Sequence, residues 1–160
     1  MIFVVLGTHE LPFTRLLREV EKQIISGNIK EEVIVQQGHT PYESPHMNMM
    51  TFTSYEEMER LYREASMIIT HGGTGSITTG AKMGKKMIAA PRLMKYGEHN
   101  DDHQLEIVQQ FEKTGHILAW YENEDFSEVL KKAKQFEPVP FVSGNDEIIS
   151  IIRSFIDKHA

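Results

Sequence analysis

Met67-Ile68-Ile69-Thr70-His71-Gly72-Gly73-Thr74-Gly75-Ser76, carried on by a helical interval to Gly84, a second apolar run Met87-Ile88-Ala89-Ala90 and then Pro91-Arg92, is the stretch that decides the fold. A continuous apolar run, a glycine-rich turn, a helical interval and another apolar run spell a β-α-β unit, because parallel strands buried on both faces lack polar alternation. Further runs lie at Ile2 to Leu6, Val33 to Gln36 and His116 to Ala119, with a short one at Met49 to Phe52 after a loop from Gly38 to Pro45. Strands alternating with helices predict an α/β, doubly wound, Rossmann-like parallel sheet forming a single domain over 1–160.

The helices follow from periodicity and punctuation. The first is expected from about Pro12 to Ile25, with Leu16, Leu17, Val20 and Ile24 inward and Gly27-Asn28 after it. Ser54 with Glu57 three residues on is a capping box, and Met58, Leu61, Tyr62 and Ala65 follow on one face. A third helix is expected from Gly75-Ser76 to Gly84, and a fourth from Asn100, with Asp101 and Asp102 in its first turn, Leu105, Val108 and Phe111 inward and Gly115 past its end. Two more are expected at 126–136 and 146–158. The last carries a wide stripe, Ile148, Ile149, Ile152, Phe155 and Ile156, suited to docking a partner.

A doubly wound sheet binds ligands outside the carboxyl ends of its strands, where Gly7-Thr8-His9, His71 to Ser76 and the loop after Pro91 all fall. Unpaired amides at a helix start, with the helix dipole behind them, favour an anion, and glycines let a diphosphate come close. The chain is acidic, with net charge -6, yet has no Asp or Glu between Glu64 and Glu98, where Lys82, Lys85, Lys86, Arg92 and Lys95 occur. That window predicts a local basic pocket.

Other chemistries fit less well. Gly72-Gly73-Thr74-Gly75 lacks dinucleotide spacing, and the chain has no Gly-Lys-Ser/Thr phosphate loop. His71-Gly72-Gly73 matches the start of an esterase oxyanion loop, but no Gly-x-Ser-x-Gly elbow supplies a nucleophile. His99 and His103, four apart beside Asp102, satisfy metal arithmetic without a second ligand pair, so no metal is expected. Adjacent Asp101 and Asp102 would point about 100° apart on a helix and suit capping better than clasping Mg²⁺. The acidic balance argues against nucleic acid. The absence of cysteine suits a reducing cytoplasm. The opening Met1 to Leu6 is too short for a bilayer span and lacks the marks of a signal peptide. Nine methionines read as core or interface filler.

Three stretches carry a resemblance: Val5-Leu6-Gly7-Thr8-His9-Glu10 with Pro12-Phe13 and Arg15-Leu16; Thr70 to Ile77; and Pro91-Arg92 followed by Tyr96-Gly97-Glu98-His99 and Asp101-Asp102-His103-Gln104. Together they resemble the glycosyltransferase family 28 C-terminal domain, the donor half of a two-domain GT-B enzyme. The likeness extends to short bacterial exopolysaccharide and capsule subunits of the PssE/EpsF type, related to the catalytic subunit of the eukaryotic two-chain UDP-GlcNAc transferase.

The resemblance implies inverting transfer from a UDP-sugar to a polyprenyl-diphosphate-linked acceptor, with no cofactor and no required metal. By the same likeness His71, Gly72, Gly73, Thr74, Gly75 and Ser76 hold the diphosphate and Asp102, His103 and Gln104 contact the donor sugar, with Gly7, Thr8, Thr79 and His99 also in the donor-binding set, while fixed amide dipoles and Arg92 or Lys95 stabilise the leaving diphosphate. Relatives often carry a ribose-binding glutamate where this chain has Thr79. A base must deprotonate the acceptor, and His9 is expected, with Glu10 or Glu98 as fallbacks or the acceptor half as source. A GT-B reaction needs two domains, which implies a membrane-anchored acceptor-binding subunit that recruits this cytoplasmic chain to the inner face of the membrane. The alternative is a noncatalytic sugar-nucleotide-binding or enhancer subunit of a partner transferase.

Overall fold

A computed structural model describes residues 1–142. The helix expected at 146–158, and its docking role, lie outside the described residues. Six strands form one parallel sheet: β1 Ile2–Val5, β2 Val33–Gln36, β3 Asn48–Met50, β4 Met67–His71, β5 Met87–Ala90 and β6 Leu118–Ala119. Their spatial order is β3-β2-β1-β4-β5-β6, so β1 and β4 meet where the winding reverses. Loops leaving adjacent strands diverge there, which opens a crevice at the carboxyl edge.

Helices α1 Thr14–Ile25, α2 Tyr55–Glu64, α3 Thr74–Lys82, α4 His103–Lys113 and α5 Phe126–Gln135 cover both faces, and a 3₁₀ turn spans Met94–Tyr96. Side chains alternate across a strand. Val4, Ile69 and Ile88 therefore pack with Leu16, Leu17 and Val20 of α1 and Phe126 and Val129 of α5. Phe3, Val5, Ile68 and Ala89 face Leu61 and Tyr62 of α2, Ile77 of α3, and Ile107, Val108 and Phe111 of α4. The register sets Val4 beside Val35 and Ile69, so the core layers continue across the switch point.

Several boundaries differ from the sequence-based expectation. The cap of α2 stands, since Ser54 Oγ accepts from Glu57 N at 3.1 Å. Helix α4 starts at His103 rather than Asn100, because both carboxylates ahead of it serve a turn. Asp101 Oδ1 accepts from His103 N at 3.0 Å, and Asp102 Oδ1 from Met94 N at 2.9 Å. Gln104 and Ile107 take buried positions in α4, while Leu105 is half-buried. His116 N donates to Phe111 O at 3.1 Å, which closes α4 and delays β6 to Leu118. Strand β3 ends at Met50, and the Thr51 carbonyl accepts instead from Gly38 N and from the Gln36 amide.

Ile69 is fully buried in a central strand. Ile69→Ala is expected to cost about 3 kcal/mol, through lost transfer energy plus a cavity. The exposed cap change Ser54→Ala should cost about 1 kcal/mol. Urea unfolding of both variants measures that difference.

Candidate functional site

A crevice of about 750 Å³ opens at the β1/β4 switch point and continues between α2 and α3. Its inner wall is made by Gly7, Thr8 and His9 after β1, by His71, Gly73, Gly75 and Ser76 at the start of α3, and by Gln36 and Gln104. Its outer part is more apolar, with Phe52, Tyr55, Met58, Tyr62 and Met83 beside Glu59, Thr79 and Lys82.

Local backbone geometry follows from one ring. The His71 imidazole is buried between two glycines: a Cβ on Gly7 would lie 2.6 Å from Cε1, and one on Gly73 would lie 2.7 Å from Nε2. Neither position has room for another side chain. Gly7 also sits at φ +77°, a left-handed conformation that glycine adopts readily. The Gln36 side chain grips the same turn, accepting from Gly7 N and donating to Gly7 O, both at 3.0 Å.

Hydrogen bonding also assigns protons. Gln104 Oε1 accepts from Gly72 N at 2.9 Å and Arg92 N at 3.1 Å, so its amide nitrogen faces His71 Nδ1 at 3.1 Å. The ring hydrogen therefore sits on Nε2, which donates to Ser76 Oγ at 3.2 Å and leaves the Ser76 hydroxyl proton free for a ligand. Burial first, and the Arg92 charge second, push the His71 pKa down to about 3. Imidazole charge plays no part in this wall at neutral pH.

His9 is held in the same way. Its Nδ1 accepts from Leu11 N at 3.0 Å, so Nε2 carries the hydrogen of the neutral ring. Desolvation, then Arg92, lowers its pKa below the usual histidine value. The arrangement reverses the expected role: in this geometry His9 presents a donor, not a free lone pair for a base. Glu10 is exposed and does not line the crevice. Glu98 is buried in a bidentate pair with Arg15, at 3.0 and 2.9 Å, and also accepts from Leu93 N. Neither carboxylate is placed to receive an acceptor proton.

The other expected site residues separate. Gly72 lies under the wall, where a Cβ would meet Val108 at 2.8 Å. Thr74 Oγ1 is buried without a partner among the described residues. Thr79 Oγ1 donates back to Gly75 O at 2.8 Å. His99 stacks on His9 with ring centroids 4.2 Å apart, and His103 Nδ1 lies 3.3 Å from Asp101, so these rings flank the crevice without lining it. Asp102 turns to Met94 N instead. Arg92 is 1% exposed and hydrogen-bonds backbone carbonyls.

The expected basic pocket also disperses. Lys82 lines the crevice, but Lys85 bonds the carbonyls of Arg63 and Ala65, Lys86 that of Lys134, and Lys95 pairs with Glu122. As crevice residues, sequence reading missed Val5, Gln36, Phe52, Thr53, Tyr55, Met58, Glu59, Tyr62 and Met83. The available signal was the pair Phe52 and Tyr55, large aromatics bracketing a cap just past a strand end, which are 48% and 83% exposed.

Among the described residues no group of three or more His, Cys, Asp or Glu could hold a metal, and no helix is long and apolar enough to cross a membrane. The fold and this crevice define a Rossmann-like domain with an anion-ready edge. A model of the glycosyltransferase family 28 C-terminal domain matches residues 1–155, and the chain belongs to that family.

Two curated relatives are both described as "UDP-N-acetylglucosamine transferase subunit ALG13". The one from Candida glabrata is 31% identical over 58% of this chain and 46% of its own length. The one from Yarrowia lipolytica is 28% identical over 58% and 48%. The chain thus spans about half the length of the curated relatives it matches. Among solved structures, the solution structure of ALG13 superposes with a TM-score of 0.58 at 21% identity, covering 90% of both chains. MurG of Acinetobacter baumannii gives 0.53 at 16% identity, covering 97% of this chain and 49% of MurG.

Two measurements test the wall. Gly73 has ordinary φ -74°, so Gly73→Ala should cost about 2 kcal/mol solely through its clash with the ring, and about 0.5 kcal/mol or less in a His71→Ala background. A double-mutant cycle in urea reads the coupling. The unfolded chain binds a proton on His71 near pH 6.5, whereas the folded chain does so only near 3, so stability is full above 6.5 and falls as pH drops through that window. Between pH 7 and 5 the wild type should lose about 2 kcal/mol that His71→Asn does not lose.

Proposed function

We propose that this chain is the donor-binding subunit of a heteromeric inverting glycosyltransferase, a single GT-B half that takes a sugar from a UDP-sugar. The observation that carries the reading is the crevice at the switch point, walled by the open amino end of α3 and by neutral imidazoles. That the Candida glabrata and Yarrowia lipolytica relatives are described as a UDP-N-acetylglucosamine transferase subunit supports a UDP-sugar donor and a second subunit. Family membership supports glycosyl transfer.

In this mechanism the diphosphate sits at Gly73 to Ser76. The first-turn amides of α3 lack helical partners, and with the Ser76 hydroxyl and the His9 Nε2–H they face the charge that grows on the leaving diphosphate. Fixed dipoles of this kind need no metal ion. Phe52, Tyr55 and Met58 offer flat and apolar surface for the nucleoside. Gln104, which lines the crevice, is assigned to the donor sugar together with His103 on the ground of the family resemblance. Attack from the opposite face requires a base, which the acceptor-binding half supplies, because His9 spends its lone pair on Leu11 N–H.

The partner is a membrane-anchored acceptor-binding subunit that brings this cytoplasmic chain to the inner face of the membrane, and the acceptor is polyprenyl-diphosphate-linked. The setting proposed is exopolysaccharide or capsule synthesis, and its only ground is the sequence-motif resemblance to short bacterial subunits. Thr79 favours a second reading, a noncatalytic sugar-nucleotide-binding or enhancer subunit, since its hydroxyl bonds within α3 and offers no carboxylate to a ribose.

UDP is expected to raise the melting temperature of the full chain by mass action, and Gly73→Asp to abolish the rise by placing an anion in the anion site. In the reconstituted pair, His9→Ala should weaken UDP binding about tenfold and slow transfer, the loss of one charge-assisted donor. Unchanged UDP affinity with a collapsed kcat and a lost acidic limb in the pH profile would instead make His9 the base. Transfer indifferent to Gly73→Asp favours the noncatalytic reading, and no UDP binding with the partner present removes the donor site altogether.

A further inference from the structure

Arg92 is among the most deeply buried side chains of the molecule, and among the described residues its side-chain hydrogen bonds go to backbone carbonyls rather than to a carboxylate. Its guanidinium donates to Leu6 O at 2.7 Å, Leu11 O at 2.7 Å and Glu98 O at 3.1 Å, and lies 5.1 Å from the Phe13 ring centroid. Leu6 and Leu11 flank the Gly7 to Glu10 turn, so one side chain ties both ends of the turn that presents His9. The third bond ties that turn to Glu98, next to His99, whose ring stacks on His9. Its backbone N–H shares Gln104 Oε1 with Gly72, so the start of α3 is joined to the same hub.

Charge counting adds a second consequence. The nearby carboxylate of Glu98 is engaged bidentately by Arg15. Arg15, Arg92 and Glu98 therefore leave one positive charge behind the crevice wall. Burial draws the Arg92 pKa down to about 10, which keeps it charged at neutral pH. A desolvated cation is costly unless something offsets it, and its field is weakly screened in a low-dielectric interior.

We propose that Arg92, which is not a crevice-lining residue, is a positioning residue that clamps the His9 turn and places a buried positive charge behind the wall, so that the site selects charged diphosphates over neutral nucleosides. The selection rests on the donor reading; the clamp and the charge do not. The groups that face His9 are Arg92, Glu10, Asp101 and the stacked His99.

The test compares the full chain with Arg92→Lys and Arg92→Gln, titrating UDP and uridine by calorimetry and following the His9 ring by NMR across pH. Arg92→Gln should weaken UDP about tenfold and uridine about twofold or less, since only UDP carries the charge that Arg92 attracts. Its His9 midpoint should move upward. Arg92→Lys should keep the UDP-to-uridine preference and the low His9 midpoint. Parallel loss of both ligands in Arg92→Gln, or an unmoved His9 midpoint, would overturn the proposal, because a purely structural residue behaves that way. If Arg92→Gln does not fold, Arg92→Lys decides alone: a raised His9 midpoint or a lost preference with the charge retained overturns it. A wild type that binds neither ligand defeats the donor reading, while the His9 titration still decides the charge.

Discussion

The His71 imidazole, pressed between the backbones of Gly7 and Gly73, is the contact on which the crevice depends. A ring this close to two turns requires glycine at both, and it sets the distance between the loops that leave β1 and β4. The constraint then spreads outward. Gly38, at φ +57°, passes so near that a Cβ there would lie 2.5 Å from Gly7 O, while Gln36 grips Gly7 from β2. Four segments far apart in the chain are therefore assembled around one ring, and Gln104 fixes both its tautomer and its tilt. Rigid backbone amides pointing at one place are what an anionic transition state requires.

Electrostatics follow a related logic. An acidic chain would repel a diphosphate over much of its surface, so the proposed donor site requires a local attraction. It does not come from a lysine cluster, because Lys85, Lys86 and Lys95 are spent on carbonyls and on Glu122. In the proposed reading, helix amides, hydroxyl and imidazole donors, and a guanidinium behind the wall take their place. Such groups are already oriented, so little reorganisation is needed as charge develops. Arg15 strengthens the frame: its guanidinium lies 5.0 Å from the Tyr96 centroid and 5.1 Å from that of Trp120 while holding Glu98, which pins the loop after β5 to α1.

How far the sequence could be read depends on the range of the interaction involved. Strand runs, helix stripes, the Ser54 cap and the glycine stops at Gly27 and Gly115 depend on neighbours a few residues away, and their places in the chain were legible within a few residues. The start of α4 was not, because Asp102 answers to Met94 across a loop that periodicity does not describe. Of the site, the turn residues Gly7, His9, His71, Gly73 and Ser76 were legible, since glycines at strand ends mark a ligand edge. Phe52, Tyr55 and Met58 were not, because they enter the crevice from the loop after β3 and from α2, whose position beside α3 depends on strand order.

Taken by itself, the order of residues determined a parallel α/β sheet and the edge at which its glycine turns gather, because hydrophobic period and turn chemistry are local properties of the chain. Tertiary structure decided what each polar group does there. Glu98 became the partner of Arg15, Arg92 a buried hub and His9 a donor, through contacts such as Arg92 with Leu6 that join distant segments. Protonation and pairing depend on burial and on distances of a few ångströms between such segments, and only the folded arrangement sets those distances.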